Sequence, residues 1–209
     1  MNDWNLPPLE IERRSMAIID AEAPAHHWPP EAWSIIRRMI HTTADFDWVT
    51  NVRISPRAIR AGMAALKAGR PIFTDTRMAQ AGISQKRLER FGVEARCLMD
   101  DPRVAVRARE TGTTRAVAAV DLALGELAGG IYVVGNAPTA LYRLLGHLAA
   151  GQAGPALVVG LPVGFVNAAE SKQALAMSEC NFITALGRKG GSAVAASVIN
   201  ALADLCGEA

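Results

Sequence analysis

Apolar and polar positions change rhythm once along the chain. Before Arg70 the apolar residues recur at helical spacing, which predicts helices over Leu9–Glu22, over Glu31–His41 after the double Pro29-Pro30, and over Pro56–Lys67, with Ser55 as the cap of the last. From Arg70 onward short β-branched runs take over, at Pro71–Thr74, Arg96–Met99, Ile131–Val134, Leu157–Val159 and Asn181–Ala185, and patterns of 10–15 helical residues separate most of them. That alternation predicts βαβ units. The expected fold class is α/β, a three-layer α/β/α arrangement with a mostly parallel sheet, as a single domain over residues 1–209 with added N-terminal helices. Right-handed crossovers place the strand C-termini on one shared rim.

Composition narrows this picture in a few places. Half of the residues are hydrophobic but only 5% are aromatic, so the core must be built from Ala, Val, Ile and Leu. A formal charge of +2 gives no basis for binding nucleic acid or an anionic membrane. The mostly apolar stretch from Ala153 to Val166 is shorter than the ~18–20 residues of a membrane span, and Pro155, Pro162 and three glycines break it. The opening residues lack a basic end followed by an apolar run, so export is not expected and a cytoplasmic location is. Cys97, Cys180 and Cys206 are far apart with no CxxC, which reads as buried thiols in a reducing compartment and indicates neither a disulfide nor a metal site.

Three strands run into glycine-bearing turns that open helices: residues 133–139, 159–165 and 187–192. Such turns set backbone N–H groups and helix N-termini toward the crevice where open α/β sheets bind ligands. None is GxGxxG or GxxxxGK[ST], so the dinucleotide and P-loop readings fail on spacing, and a site for an acidic organic ligand remains. In the third turn Arg188 and Lys189 flank the pair Gly190-Gly191, which would let a ligand approach the backbone closely. Arg115, behind two threonines at a helix start, and Asp75, at a strand end, are further rim candidates; a solvated arginine and a capping carboxylate are their plain alternatives. His41 ends an amphipathic helix, where the negative end of the dipole favours imidazolium, the form a proton donor needs. Arg38 lies three residues earlier on the same face. A histidine that only caps carbonyls is the alternative there. His26 and His27 sit in a proline-bounded loop and His147 on a helix face, and no nucleophile elbow is legible.

Six motifs occur in order: Arg14 through Asp20, Arg38-Met39-Ile40-His41, Pro71 through Asp75, Gly135 through Ala140, Gly160 through Val166 followed by Ala168-Ala169-Glu170-Ser171-Lys172, and Gly187 through Ser192. Together they resemble the precorrin-8X methylmutase family of cobalamin biosynthesis, over residues 14 to about 200. The resemblance implies an isomerase that moves a methyl group from C11 to C12 of a corrinoid macrocycle, giving hydrogenobyrinate or its cobalt-containing counterpart, cobyrinate, without a cofactor or a metal of its own. It implies that His41 is the proton donor and acceptor and that Ser15 and Arg38 bind substrate. With them as substrate-binding candidates stand Arg14, Thr42, Asp75, Arg115, Asn136, Gly164, Lys172, Arg188, Lys189, Gly190 and Gly191. It also implies a homo-oligomer, at its simplest a homodimer, with sites near the subunit interface and product hand-off to the next enzyme. Asn167 stands where glycine is common, and Thr42-Thr43-Ala44-Asp45-Phe46 leans toward the cobalt-containing, anaerobic branch. A corrinoid carrier without turnover and a nucleotide-dependent enzyme are the alternatives.

Overall fold

The computed structural model describes residues 5–207, so the first four residues of the stretch read for export lie outside the described residues. Two helices, α1 (Pro8–Glu22) and α2 (Pro30–Thr43), come first, each with a proline in its first turn, where the missing N–H costs nothing. A short helix α3 (Trp48–Asn51) runs into β1 (Val52–Ile54), a strand absent from the sequence-based expectation. Helix α4 (Ala58–Lys67) follows, and then β2 (Ile72–Thr74), α5 (Arg77–Gly82), α6 (Gln85–Leu88), β3 (Ala95–Cys97), α7 (Pro102–Thr111) and α8 (Arg115–Leu127). The chain closes with β4 (Ile131–Val134), α9 (Pro138–Ala149), β5 (Leu157–Gly160), α10 (Ala168–Ala176), β6 (Phe182–Ala185) and α11 (Ser192–Leu205).

The six strands form one sheet in the order β1-β6-β5-β4-β2-β3. All neighbours are parallel except β1, which pairs antiparallel with β6 through Val52 opposite Ala185 and Ile54 opposite Ile183. Alternation along the strands divides the core. Ile72, Ile131, Val133, Leu157, Val159 and Ile183 pack with α2, α4 and α11, whereas Phe73, Tyr132, Val134, Val158 and Phe182 pack with α8, α9 and α10. Helices therefore cover both faces, and the expected three-layer, mostly parallel α/β fold is what forms.

Ser55 does not cap α4. The helix starts at Ala58, two residues after the expected Pro56, without a capping side chain, and Ser55 Oγ instead accepts the N–H of Phe182 at 2.9 Å, pinning the antiparallel edge. The three cysteines are unpaired and half-buried rather than fully buried. No helix of the described residues is long and apolar enough to cross a membrane.

Candidate active site

The end of α2 is the natural starting point. Its buried stripe of Ile35, Ile36, Met39 and Ile40 packs on α11 and leaves Ser34, Arg38 and His41 along a neighbouring face, at spacings of four and three residues. His41 is solvent-exposed. On α1, Glu12, Ser15 and Met16 repeat the same spacing ahead of buried Ile19, which turns them toward α2. The Arg38 guanidinium meets Glu12 at 2.6 Å and Asp204 of α11 at 3.3 Å. Arg38 holds the Glu12 carboxyl below the usual range against the push of burial, and His41 pulls in the same direction. Arg38 and His41 on α2 thus act on Glu12 of α1, and Ser15 lies three residues beyond Glu12 on the same face of α1. Glu12, which the sequence reading missed, completes the group; its only signal was its i, i+3 relation to Ser15. Arg14 points away from this group toward Glu10, at 2.8 Å.

Helix α2 ends sharply. Thr42 Oγ1 and Thr43 Oγ1 donate back to the carbonyls of Arg38 and Met39, at 2.8 and 2.9 Å, one turn earlier on the same helix. Ala44 then takes the left-handed conformation, φ 52°. The next residues tie this helix end to the sheet rim: Asp45 and Asp47 hold Lys189 Nζ at 2.6 and 2.7 Å, and the Leu186 N–H reaches the Asn51 carbonyl at 2.9 Å. Burial pushes the Asp45 carboxyl up, but Lys189 and the N–H of Asp47 outweigh it and leave it below the ordinary value. Lys189, expected to face a ligand, is therefore paired within the protein and places the third glycine turn beside the loop that follows His41.

The backbone N–H groups of the rim are largely committed as well. Asp75, 1% exposed, accepts the N–H groups of Gly135, Asn136 and Ala137 at 2.9, 2.8 and 2.7 Å. Burial pushes its carboxyl up against the pull of those donors. The N–H groups of the first glycine turn are therefore already taken by a carboxyl group of the protein, and Asp75 latches that turn. The N–H groups of Leu161, Gly164 and Gly191 go to the carbonyls of Val134, Arg188 and Leu161. Gly190 is required for packing, since a Cβ there would come within 2.3 Å of the Leu161 carbonyl oxygen, whereas a Cβ on Gly191 would meet nothing within 4 Å. Of the glycine pair, only Gly191 faces open space.

Lys172 is also internal. Fully buried on α10, it donates to the Lys189 carbonyl, and burial pushes its ammonium down to about 8. Asn136 is exposed and touches the rim only through its backbone. Arg188 lies over the exposed ring of Phe165, 5.3 Å from its centroid, next to Gly164. Asn167 opens α10 at φ 62°, which explains how it can replace glycine, because asparagine tolerates this region best among the larger residues. Arg115 donates to the Met99 carbonyl beyond β3, at the far edge of the sheet. Four strand spacings, roughly 19 Å, separate β3 from β6. The structure consequently sets Arg115 apart from the expected residues on α1 and α2 and at the third glycine turn.

Elsewhere the bland alternatives hold. His147 Nε2 pairs with Asp121 at 2.7 Å on the outer face of α8 and α9, and His26 stacks on Trp33 at 4.0 Å. Among the described residues no group of three or more His, Cys, Asp or Glu side chains is arranged to hold a metal.

Comparison with known proteins bears directly on this geometry. The family model for precorrin-8X methylmutase matches residues 10–205, which takes in the α1–α2 groove and the whole sheet. The chain belongs to the precorrin-8X methylmutase family. The cobalt-precorrin-8 methylmutase of Salmonella typhimurium is 51% identical over 201 residues, covering 93% of this chain and 94% of that protein. The precorrin-8X methylmutase of Pseudomonas aeruginosa is 43% identical, with 97% and 98% covered. The crystal structure of a precorrin-8X methylmutase from Thermus thermophilus superposes with a TM-score of 0.89 at 44% identity, covering 96% of this chain and 97% of that one. The precorrin-8X methylmutase fold thus extends over both the groove and the rim described above.

Proposed function

We propose that this protein is an isomerase that moves a methyl group from C11 to C12 of precorrin-8X or its cobalt-containing form, with His41 as proton donor and acceptor. The observation that carries the reading is the facing of Arg38 and His41 on α2 and the Ser15 face of α1, joined by the Glu12–Arg38 pair, in a chain whose relatives are named as methylmutases. Substrate and product of such a shift are isomers. A proton given to the macrocycle in one step must therefore be taken back in another, and one imidazole at an exposed helix end can do both. Protonation makes the π system electron-poor and lowers the barrier to migration, and a positioned acid of this kind contributes roughly 10²–10⁴-fold. Arg38 and Ser15 hold the substrate beside the imidazole, which adds an orientation effect. Because the rim's N–H groups are internally committed, the substrate's carboxylates are met by side chains, with Arg188 presented outward on Phe165.

The roughly 19 Å between the Arg115 end of the sheet and the β6 end supports a homo-oligomer in which Arg115 serves the groove of a second copy. Residues 42–46 and the 51% identity to the Salmonella relative favour the cobalt-containing substrate. Incubating the purified protein with precorrin-8X and with cobalt-precorrin-8, and following the absorbance spectrum, tests both points of chemistry. Conversion to the corrin chromophore is expected, faster with the cobalt form, and His41→Ala should slow it by about 10²–10⁴-fold while leaving binding in place. Binding without conversion by the unmodified protein would favour a carrier, and no conversion with either substrate overturns the proposal.

A further inference from the structure

A cavity of about 380 Å³ opens beside the groove, lined among others by Met16, Ser34, Arg37, Arg38, Arg90 and Gly207. Its cations differ in one respect. Arg37 is paired with Asp20 at 2.7 Å, Arg38 with Glu12 and Asp204, and Arg87, just outside, with Asp204 at 2.7 Å. Arg90 has no carboxylate partner among the described residues; its guanidinium lies over the Phe91 ring, 4.7 Å from the centroid. It is nonetheless seated. A Cβ on Gly207 would come within 2.2 Å of Arg90 Nη1, so the guanidinium lies against the Gly207 backbone and would have to shift if a side chain stood there. Among the described residues the cavity thus contains one guanidinium in excess of the carboxylates that neutralise its neighbours. It shares Ser34 and Arg38 with the helix face that carries His41, one turn of about 5.4 Å beyond Arg38.

We infer that this cavity is a carboxylate subsite and that Arg90 is a specificity-determining residue, receiving an acidic side arm of the substrate while the macrocycle lies toward His41. The inference rests on the corrinoid reading given above and adds to it the group that holds the arm. Guanidinium and carboxylate form paired N–H···O bonds with defined geometry, so the contact fixes orientation as well as charge. Neither the glycine turns nor the residues implied by the resemblance include Arg90.

The test uses the full chain and two probes, hydrogenobyrinate and its fully methyl-esterified form, titrated by absorbance alongside steady-state turnover. Arg90→Gln is expected to weaken hydrogenobyrinate binding and to raise KM by about 10- to 100-fold, the loss typical of a hydrogen bond to a charged group, and to leave the ester's affinity unchanged. Arg90→Lys should recover part of the loss. Gly207→Ala keeps the charge but displaces the guanidinium, so it should weaken the acid and spare the ester, with an unchanged unfolding midpoint. Unmodified affinity for the acid in Arg90→Gln overturns the inference, as does an equal loss for acid and ester. Turnover by the unmodified protein together with an unaffected Arg90→Gln removes the subsite alone, whereas a protein that neither converts nor binds corrins removes the functional reading as well.

Discussion

Lys172→Met is a perturbation whose outcome can be worked out in advance. The Lys172 side chain is fully buried, its amine donates to the Lys189 carbonyl, and burial lowers its pKa from 10.5 to about 8. A lysine whose folded pKa lies below its unfolded value is penalised in the fold while charged, and the gap between those two values corresponds to roughly 3 kcal/mol. That penalty is fully present below pH 8. It fades as pH rises toward 10.5, because over this window the unfolded chain binds more protons than the folded one. Between pH 7 and pH 9.5 the lysine protein should therefore gain roughly 2 kcal/mol relative to the methionine variant. At pH 7 itself the two should lie close together, since relief of desolvation in the variant is offset by the loss of a charged hydrogen bond worth about 1.5–3 kcal/mol. Urea unfolding of both proteins at pH 7, 8 and 9.5 measures the difference and cancels every other titrating group. A difference that does not change across this range would refute the reasoning, and would mean that the buried amine is hydrated or moves outward. The variant also frees the turn that carries Lys189, so turnover should fall even at the pH where stability is unchanged.

Two further outcomes follow from the same geometry. Asp75→Asn replaces one of the two oxygens that hold the Gly135, Asn136 and Ala137 N–H groups with a second donor, and should cost about 2–4 kcal/mol in denaturant unfolding; a loss below about 1 kcal/mol would remove the latch. Ala44→Gly relieves a left-handed alanine worth about 1–2 kcal/mol, offset by about 0.4–1 kcal/mol of added freedom in the unfolded chain. A net gain of about 0–1.6 kcal/mol is expected, read as an equal or higher denaturant midpoint, and a lower midpoint would show that the left-handed turn is not strained.

The parallel strands were legible because their residues are local and redundant: Ile131-Tyr132-Val133-Val134 and Leu157-Val158-Val159 are β-branched or bulky apolar and buried on both faces. Strand β1 was not, since Val52-Arg53-Ile54 is three residues long with one charge, and its strand character comes from β6, more than a hundred residues later. The same reason hid the site's internal wiring. Lys189 reads as an available cation until the fold places it on Asp45 and Asp47, and the first glycine turn reads as an anion site until Asp75 fills it from 60 residues upstream. Arg38 and His41 were legible from the amphipathic pattern of their helix and Ser15 only from the ordered motifs, whereas the packing of α1 on α2 left no local pattern; Arg90 carried no sequence signal because its distinction is the lack, among the described residues, of a carboxylate partner such as Arg37, Arg38 and Arg87 have.

The carboxylate that Asp75 places in the first glycine turn also determines what this rim refuses. Many doubly wound sheets welcome a nucleotide's phosphates with bare N–H groups at the first strand-to-helix turns. Here the N–H groups of the turn after β4 already hold the buried carboxyl of Asp75, so a phosphate oxygen brought to them would have to displace three hydrogen bonds made within the protein. The donors that a nucleotide's phosphates would need at this turn are thus taken from within the protein, while the Arg188 guanidinium lies outward over the exposed Phe165 ring.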